Sequence, residues 1–156
     1  MENKKQHLLI EQADRKLTVF KYAEKVVMPP KGWLNAVRAS LNMTLPQLGQ
    51  RLSITAQSVK DLELREAAGT ITINRLREAA QAMDMKLVYG LIPMDGSIEK
   101  MIEKRATILA REIVLRTSDS MKLEGQENSA KRIEKAIKEK TAEIKYELPK
   151  YIWNSL

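Results

Sequence analysis

Thr44-Leu45-Pro46-Gln47-Leu48-Gly49-Gln50-Arg51-Leu52-Ser53-Ile54-Thr55-Ala56-Gln57-Ser58-Val59-Lys60-Asp61-Leu62-Glu63 is the stretch on which the fold turns. Its apolar positions are Leu45, Leu48, Leu52, Ile54, Val59 and Leu62. Leu48 and Leu52 share one helical face at i and i+4, and the periodicity then breaks at Ser53. Thr44 stands where it can cap a first short helix and Thr55 a second, because a threonine hydroxyl accepts from the unpaired N–H groups of a first turn. The spacing predicts two short helices joined by a sharp turn at Ser53, with Val59 and Leu62 packing the second back onto the first.

That arrangement leaves Ala56, Gln57, Ser58, Lys60 and Asp61 toward solvent at the start of the second helix. Small and amide side chains there suit a major groove: Gln bonds bidentately to adenine, while Ser, Thr and Lys reach phosphate or base acceptors. Gln57, Ser58 and Lys60 are the expected direct contacts, and Thr44, Arg51 and Thr55 the expected phosphate contacts.

These twenty positions resemble, one by one, the two-helix unit of the phage-repressor type of helix-turn-helix, the Xre/Cro family. Trp33 to Leu41 then corresponds to the first helix of that unit and Thr72 to Met83 to the fourth. Two positions depart from the family: Gly49 where it usually has Ala, and Ser53 where it usually has Gly. A serine at the turn carries backbone strain if its φ is positive. Since repressors of this type read palindromes as dimers, the resemblance implies double-stranded operator DNA as a partner and a homodimer as the working form.

The composition of the 156-residue chain narrows the remaining classes. Absence of Cys removes disulfide scaffolds, thiolate zinc sites and thiol nucleophiles, and with His7 as the sole histidine no imidazole cluster or hydrolytic triad can be assembled. No glycine-rich phosphate loop is present, so neither an enzyme nor a bound cofactor is expected. One Phe, two Trp and four Tyr, none clustered, offer little platform for stacking single-stranded nucleic acid. No apolar run approaches the roughly 18–20 residues of a membrane span, and the polar start leads into only Leu8-Leu9-Ile10, so a cytoplasmic protein is expected. The net charge of +7 points to a polyanionic partner. It is spread evenly, as +2, +3 and +2 over residues 1–30, 31–94 and 95–156, so specific side chains on a folded element must do any reading of nucleic acid.

Those three spans are also the expected divisions of a mainly α chain. In the first, Leu9, Ala13, Leu17 and Phe20 mark one face of an N-terminal helix that leads to a rigid Pro29-Pro30 connector. The second is the helix-turn-helix bundle, closed by a β-rich run, Lys86-Leu87-Val88-Tyr89-Gly90-Leu91-Ile92, which is expected to form a short strand paired within the subunit or across a dimer. The third is a helical extension: a long charged helix from about Ser97 to Glu124, a second from Ser129 to Glu147, and an apolar tail, Tyr151-Ile152-Trp153, placed to dock.

The long helix ends in Leu115-Arg116-Thr117-Ser118-Asp119-Ser120-Met121-Lys122-Leu123-Glu124-Gly125, which contains Ser120-x-x-x-Glu124-Gly125. At i and i+4 the hydroxyl and carboxylate project from one helix face, and Gly125 lets the chain leave in a left-handed turn. A carboxylate in a last turn faces the negative end of the helix dipole, and a charge kept against local preference points to an external cationic partner. This segment resembles the inhibitory helix of antitoxins that silence Fic-domain enzymes, whose pattern is Ser or Thr, three residues, Glu, then Gly or Asn. The resemblance implies that Glu124 occupies the active-site arginine that would otherwise hold the ATP γ-phosphate, with Ser120 orienting it and Gly125 stopping the helix.

Taken with Pro29-Pro30-Lys31-Gly32-Trp33-Leu34, Glu66-Ala67-Ala68-Gly69-Thr70-Ile71-Thr72, Lys86-Leu87-Val88-Tyr89-Gly90-Leu91-Ile92-Pro93 and Met121-Lys122-Leu123-Glu124, the chain is similar over about residues 15 to 126 to the bacterial family called mobile mystery protein A. That family is implied to be encoded beside a Fic-domain protein, mobile mystery protein B, on mobile elements. The expected function is therefore an antitoxin that binds its own operator and inhibits a partner Fic-domain adenylyltransferase. The alternative is a simple Xre-family repressor whose C-terminal helices only dimerise.

Overall fold

Hydroxyl caps set where the helices of this chain begin. The Oγ1 atoms of Thr44, Thr55 and Thr72 accept from the backbone N–H groups of Gln47, Ser58 and Arg75 at 3.3, 3.1 and 3.3 Å. They open α3 (Leu45–Leu52), α4 (Ala56–Ala67) and α5 (Ile73–Ala82), each satisfying a donor that the helix itself leaves unpaired. Ser129 does the same for Arg132 at the start of α7 (Ala130–Glu147). The remaining α-helices among the described residues are α1 (Glu2–Leu17), α2 (Gly32–Ser40) and α6 (Ile98–Leu123). The computed structural model describes residues 2–123 and 129–154.

The contacts gather into two units, Met1–Lys21 with Leu91–Leu156, and Tyr22–Gly90. The N-terminal helix is thus no segment of its own: it shares a unit with the two long C-terminal helices, and the middle of the chain is inserted between these halves in sequence.

The Tyr22–Gly90 unit packs α2 to α5 around Leu34, Leu48, Val59, Ala79 and Met83, with Leu45, Leu52 and Ile54 pressed against them. Every apolar position read from the Thr44–Glu63 stretch is therefore turned inward, Leu62 included. Two carboxylates on α4 bind α2 to it. The α2 N-terminus has no cap from Lys31; instead Glu66 accepts from the N–H groups of Trp33 and Leu34 at 2.9 and 2.8 Å. One turn earlier on α4, Glu63 accepts from Asn35 and Arg38. Gly32, at φ +82, lies so close that a Cβ there would stand 2.7 Å from Glu66 Oε2. Glycine admits both the left-handed backbone and the approaching carboxylate.

Residues 86–92, expected as a short strand, form none, and no strand occurs among the described residues. A strand needs a ladder partner, and the other β-prone runs are taken up elsewhere, Thr18–Lys25 in a 3-10 helix and Thr72-Ile73 at the start of α5. Residues 85–93 are without regular structure.

In the other unit, α6 presents Ile102, Ala106 and Ala110 at intervals of four, fully enclosed with Ile144 of α7 and Ile152. Ala106 and Ala110 have no exposed surface, and their small side chains let the α6 and α7 backbones approach. The tail docks as expected through Ile152, whereas Tyr151 and Trp153 stay half exposed; Arg105 donates to the carbonyls of Ile152 and Asn154 and holds the turn in place. On α1 it is Ile10 that packs against this core, and Leu9, placed on the inner face by its spacing, is exposed. Asp14 of α1 caps α6, accepting from the N–H groups of Ile98 and Glu99 at 2.6 and 3.1 Å. No described helix is long and apolar enough to cross a membrane.

Candidate nucleic-acid interface

The turn between α3 and α4 fixes what the second helix displays. Ser53 adopts the left-handed conformation at φ 56, so the condition for backbone strain at this serine is met, and the Ile54 N–H returns to the Gly49 carbonyl at 2.9 Å. The turn closes directly over Gly49: a Cβ there would meet the Ile54 carbonyl oxygen at 2.6 Å and the Thr55 carbonyl carbon at 3.3 Å. An alanine at this position would have to push that backbone away. Gly49 and Ser53 thus act together to draw the start of α4 against α3.

On α4 the inner stripe is Val59, Leu62, Glu63 and Glu66, all buried. The opposite side carries Gln57, Lys60 and Asp61, exposed as the spacing predicts, with Leu64 and Arg65 following; Ala56 and Ser58 are half-buried at the edge of that face. Gln57 Nε2 donates to Asp61 Oδ1 at 3.0 Å, so the amide and the carboxylate one turn below it hold each other on the surface. The Ser58 and Thr55 hydroxyls lie 2.9 Å apart, and Thr55 also caps the helix. Lys60 enters no ion pair among the described residues.

On α3, Thr44 is engaged in a full capping box. Its hydroxyl accepts from the Gln47 N–H, and the Gln47 side chain accepts from the Thr44 N–H at 2.8 Å. Glutamine three residues after a threonine cap is the sequence signal for that reciprocal pair. Arg51, half exposed, directs Nη1 to the Ala82 carbonyl at 2.8 Å and to Asp84 at 3.1 Å, neutralising the C-terminal end of α5. Gln50 is exposed beside Gln47 and Arg51 and extends the polar edge.

Behind the surface, the pair of Arg38 and Glu63 is mostly enclosed, with side chains 14% and 8% exposed. Burial pushes the Glu63 carboxyl up, yet the hydrogen bonds from Arg38 and Asn35 and the Arg38 charge prevail and hold it below its ordinary range. The bond to Glu63 raises Arg38 against the opposing effect of burial. Arg38 also donates to the Met43 carbonyl at 2.9 Å, fastening the loop that leads into Thr44.

Of the second set of expected site residues, Ser120 is exposed on α6, its Oγ donating to the Arg116 carbonyl at 3.1 Å. Glu124 and Gly125 lie outside the described residues. Compared with known proteins, the chain matches no family model, no curated protein and no solved structure.

Proposed function

We infer that this chain is the antitoxin of a Fic-type module. In this reading α3 and α4 act as a phage-repressor type helix-turn-helix, and a homodimer presents two α4 helices to successive major grooves of its operator. The observation that carries the reading is the first turn and a half of α4: Gln57, Lys60 and Asp61 exposed on one side, Val59 and Leu62 buried on the other, behind a turn tightened at Gly49 and Ser53. An amide at the second position of a helix whose N-terminus faces outward suits bidentate reading of adenine, with the helix N-terminus and Lys60 toward the phosphates.

The inhibitory half of the function rests on the resemblance of Ser120-x-x-x-Glu124-Gly125 to the Fic-silencing pattern. In this mechanism the Glu124 carboxylate takes the guanidinium fork that the γ-phosphate of ATP needs, so nucleotide cannot be held for transfer. Ser120, one helical turn away, orients that carboxylate. The stripe of Ile102, Ala106 and Ala110 on α6 is spent on Ile144 of α7 within the subunit and is closed to a second copy, which favours this reading over C-terminal helices that serve only to dimerise.

Selection from a pool of randomised duplexes tests the DNA half. Enrichment of a two-fold symmetric site, its half-sites about 34 Å or a multiple apart, is the expected result. Enrichment of no sequence over the starting pool would sink it.

A further inference from the structure

We propose that Lys86–Gly90 is an interaction strand completed by a second copy of this chain, the two segments running antiparallel about the dimer two-fold. The proposal rests on the DNA reading only for the expectation of two-fold symmetry.

The first support is an unmet backbone. Met85 still donates to the Ala80 carbonyl, but among the described residues no backbone–backbone hydrogen bond engages Lys86, Leu87, Val88, Tyr89 or Gly90. This is the most β-prone run of the sequence, and it contributes Val88 and Tyr89, each 66% exposed, to the surface. Main chain whose donors and acceptors meet no partner among the described residues is a template for another strand, and natural proteins blunt such edges unless they use them.

The second support is a place for the strand pair to rest. A two-stranded ribbon alone is marginal in water and needs an apolar surface beneath it. Beside the segment lies a hollow of about 330 Å³ lined by Trp33, Val37, Leu76, Met83, Met85 and Leu87, with Trp33 and Met85 nearly half exposed at its rim.

The third is that the sequence pairs well with itself. Hydrogen-bonded and non-hydrogen-bonded positions alternate along an antiparallel ladder, so a two-fold must pass through one residue that faces its own copy. Centred on Val88, the pairing sets Leu87 against Tyr89 twice, an aliphatic–aromatic pair, and Lys86 against Gly90. The segment's only charge therefore meets no like charge. Thr18–Lys25, the other run rich in β-branched and aromatic residues, is taken up in a 3-10 helix, and Lys86–Gly90 of a second copy supplies the mate.

The chain has no cysteine, which allows a clean test. Single cysteines are placed in the full chain at each position from 86 to 90 and oxidised mildly, and disulfide-linked dimer is read on non-reducing gels beside sedimentation of the wild type. Only the residue on the two-fold has its own copy within disulfide reach; its neighbours' copies are displaced by about 7–8 Å. One position linking at least about tenfold faster than both neighbours is the expected result. Because Leu87 is half-buried and its replacement can loosen the fold, amide exchange of the wild type gives a second measurement: Lys86–Gly90 amides should slow at least about tenfold between monomer and dimer concentrations. A dimer that binds symmetric DNA yet links nowhere, with these amides unprotected, overturns the strand pairing and leaves the DNA reading in place. A strand-linked dimer that selects no DNA sequence does the reverse. A chain monomeric at every concentration overturns the pairing, as does protection gained only with a different protein.

Discussion

Glu66 caps the helix that contains Leu34 from 32 residues away, its Oε2 accepting from the Leu34 N–H at 2.8 Å while Oε1 takes the N–H of Trp33. Bonds from main-chain donors to a buried carboxylate are charge-assisted, and their loss leaves two donors in a dry site. Glu66→Ala is expected to lower stability by about 2–3 kcal/mol in urea unfolding, with Glu66→Gln losing less because its amide oxygen still accepts. Equal stability of Glu66→Ala and wild type would mean that water takes over the cap.

Stability should also depend on pH through Glu63. Its carboxyl is held below the ordinary range in the folded chain, so its contribution is complete above the pKa of the unfolded carboxyl and is lost as pH falls through the lower folded value. At neutral pH, Glu63→Ala should cost about 3 kcal/mol, since it strands the largely buried Arg38. The difference between wild type and variant should narrow below about pH 4. A gap that stays constant from neutral to strongly acid solution would show that the pair is not what the variant removes.

At the turn, two substitutions separate strain from space. Ser53→Gly relieves a left-handed backbone and should gain about 0.5–1 kcal/mol, the part of that strain not offset by the flexibility of glycine when unfolded. Gly49→Ala should cost about 1–3 kcal/mol, because the added methyl meets the Ile54 carbonyl. Thermal unfolding followed by circular dichroism reads both, and a stabilising Gly49→Ala would show that the turn has room to open.

What could be read in advance follows the range of the interactions. Thr44, Thr55 and Thr72 declare helix starts within four residues, and the leucine spacing of Thr44–Glu63 declares its inner face, so that region was legible. Glu63 and Glu66 read locally as ordinary charged helix positions; their burial depends on Trp33, Leu34 and Arg38, residues 25–33 positions away, which no local pattern relates. The same limit hid the alliance of α1 with α6 through Asp14 and Ile98, 84 residues apart. At 86–92 propensity was visible but pairing was not, because propensity is a property of one segment and a ladder needs two.

On the outer face of α4, Gln57 is bound to Asp61, and that pairing has consequences for the proposed reading of DNA. Reading adenine requires the Gln57 amide to turn from Asp61 toward the base. Gln57→Ala should weaken the selected site by about 1–3 kcal/mol with little change in salt dependence, whereas Lys60→Ala should lower the salt slope by about 1. Asp61→Asn removes a negative charge from the face and should raise affinity for all duplexes alike. Titrations at several salt concentrations decide among these, and an equal loss by Gln57→Ala on selected and random DNA would assign Gln57 to the backbone.

Inhibition and DNA reading should separate at Glu124. If the carboxylate silences a Fic enzyme by occupying its phosphate-holding arginine, Glu124→Gly leaves operator binding unchanged and restores nucleotide transfer by the partner enzyme in a mixture of the two proteins. Glu124→Gln is the sharper variant: it keeps the length and a neutral acceptor but loses the charge, so inhibition should fall without complete loss of complex formation. Ser120→Ala should weaken inhibition less than either, since its hydroxyl is free to orient the carboxylate only after leaving the Arg116 carbonyl. Operator affinity, partner co-purification and nucleotide transfer are measured on the same preparations. Transfer blocked as fully by Glu124→Gly as by wild type would assign inhibition to contact elsewhere and leave the carboxylate without this role.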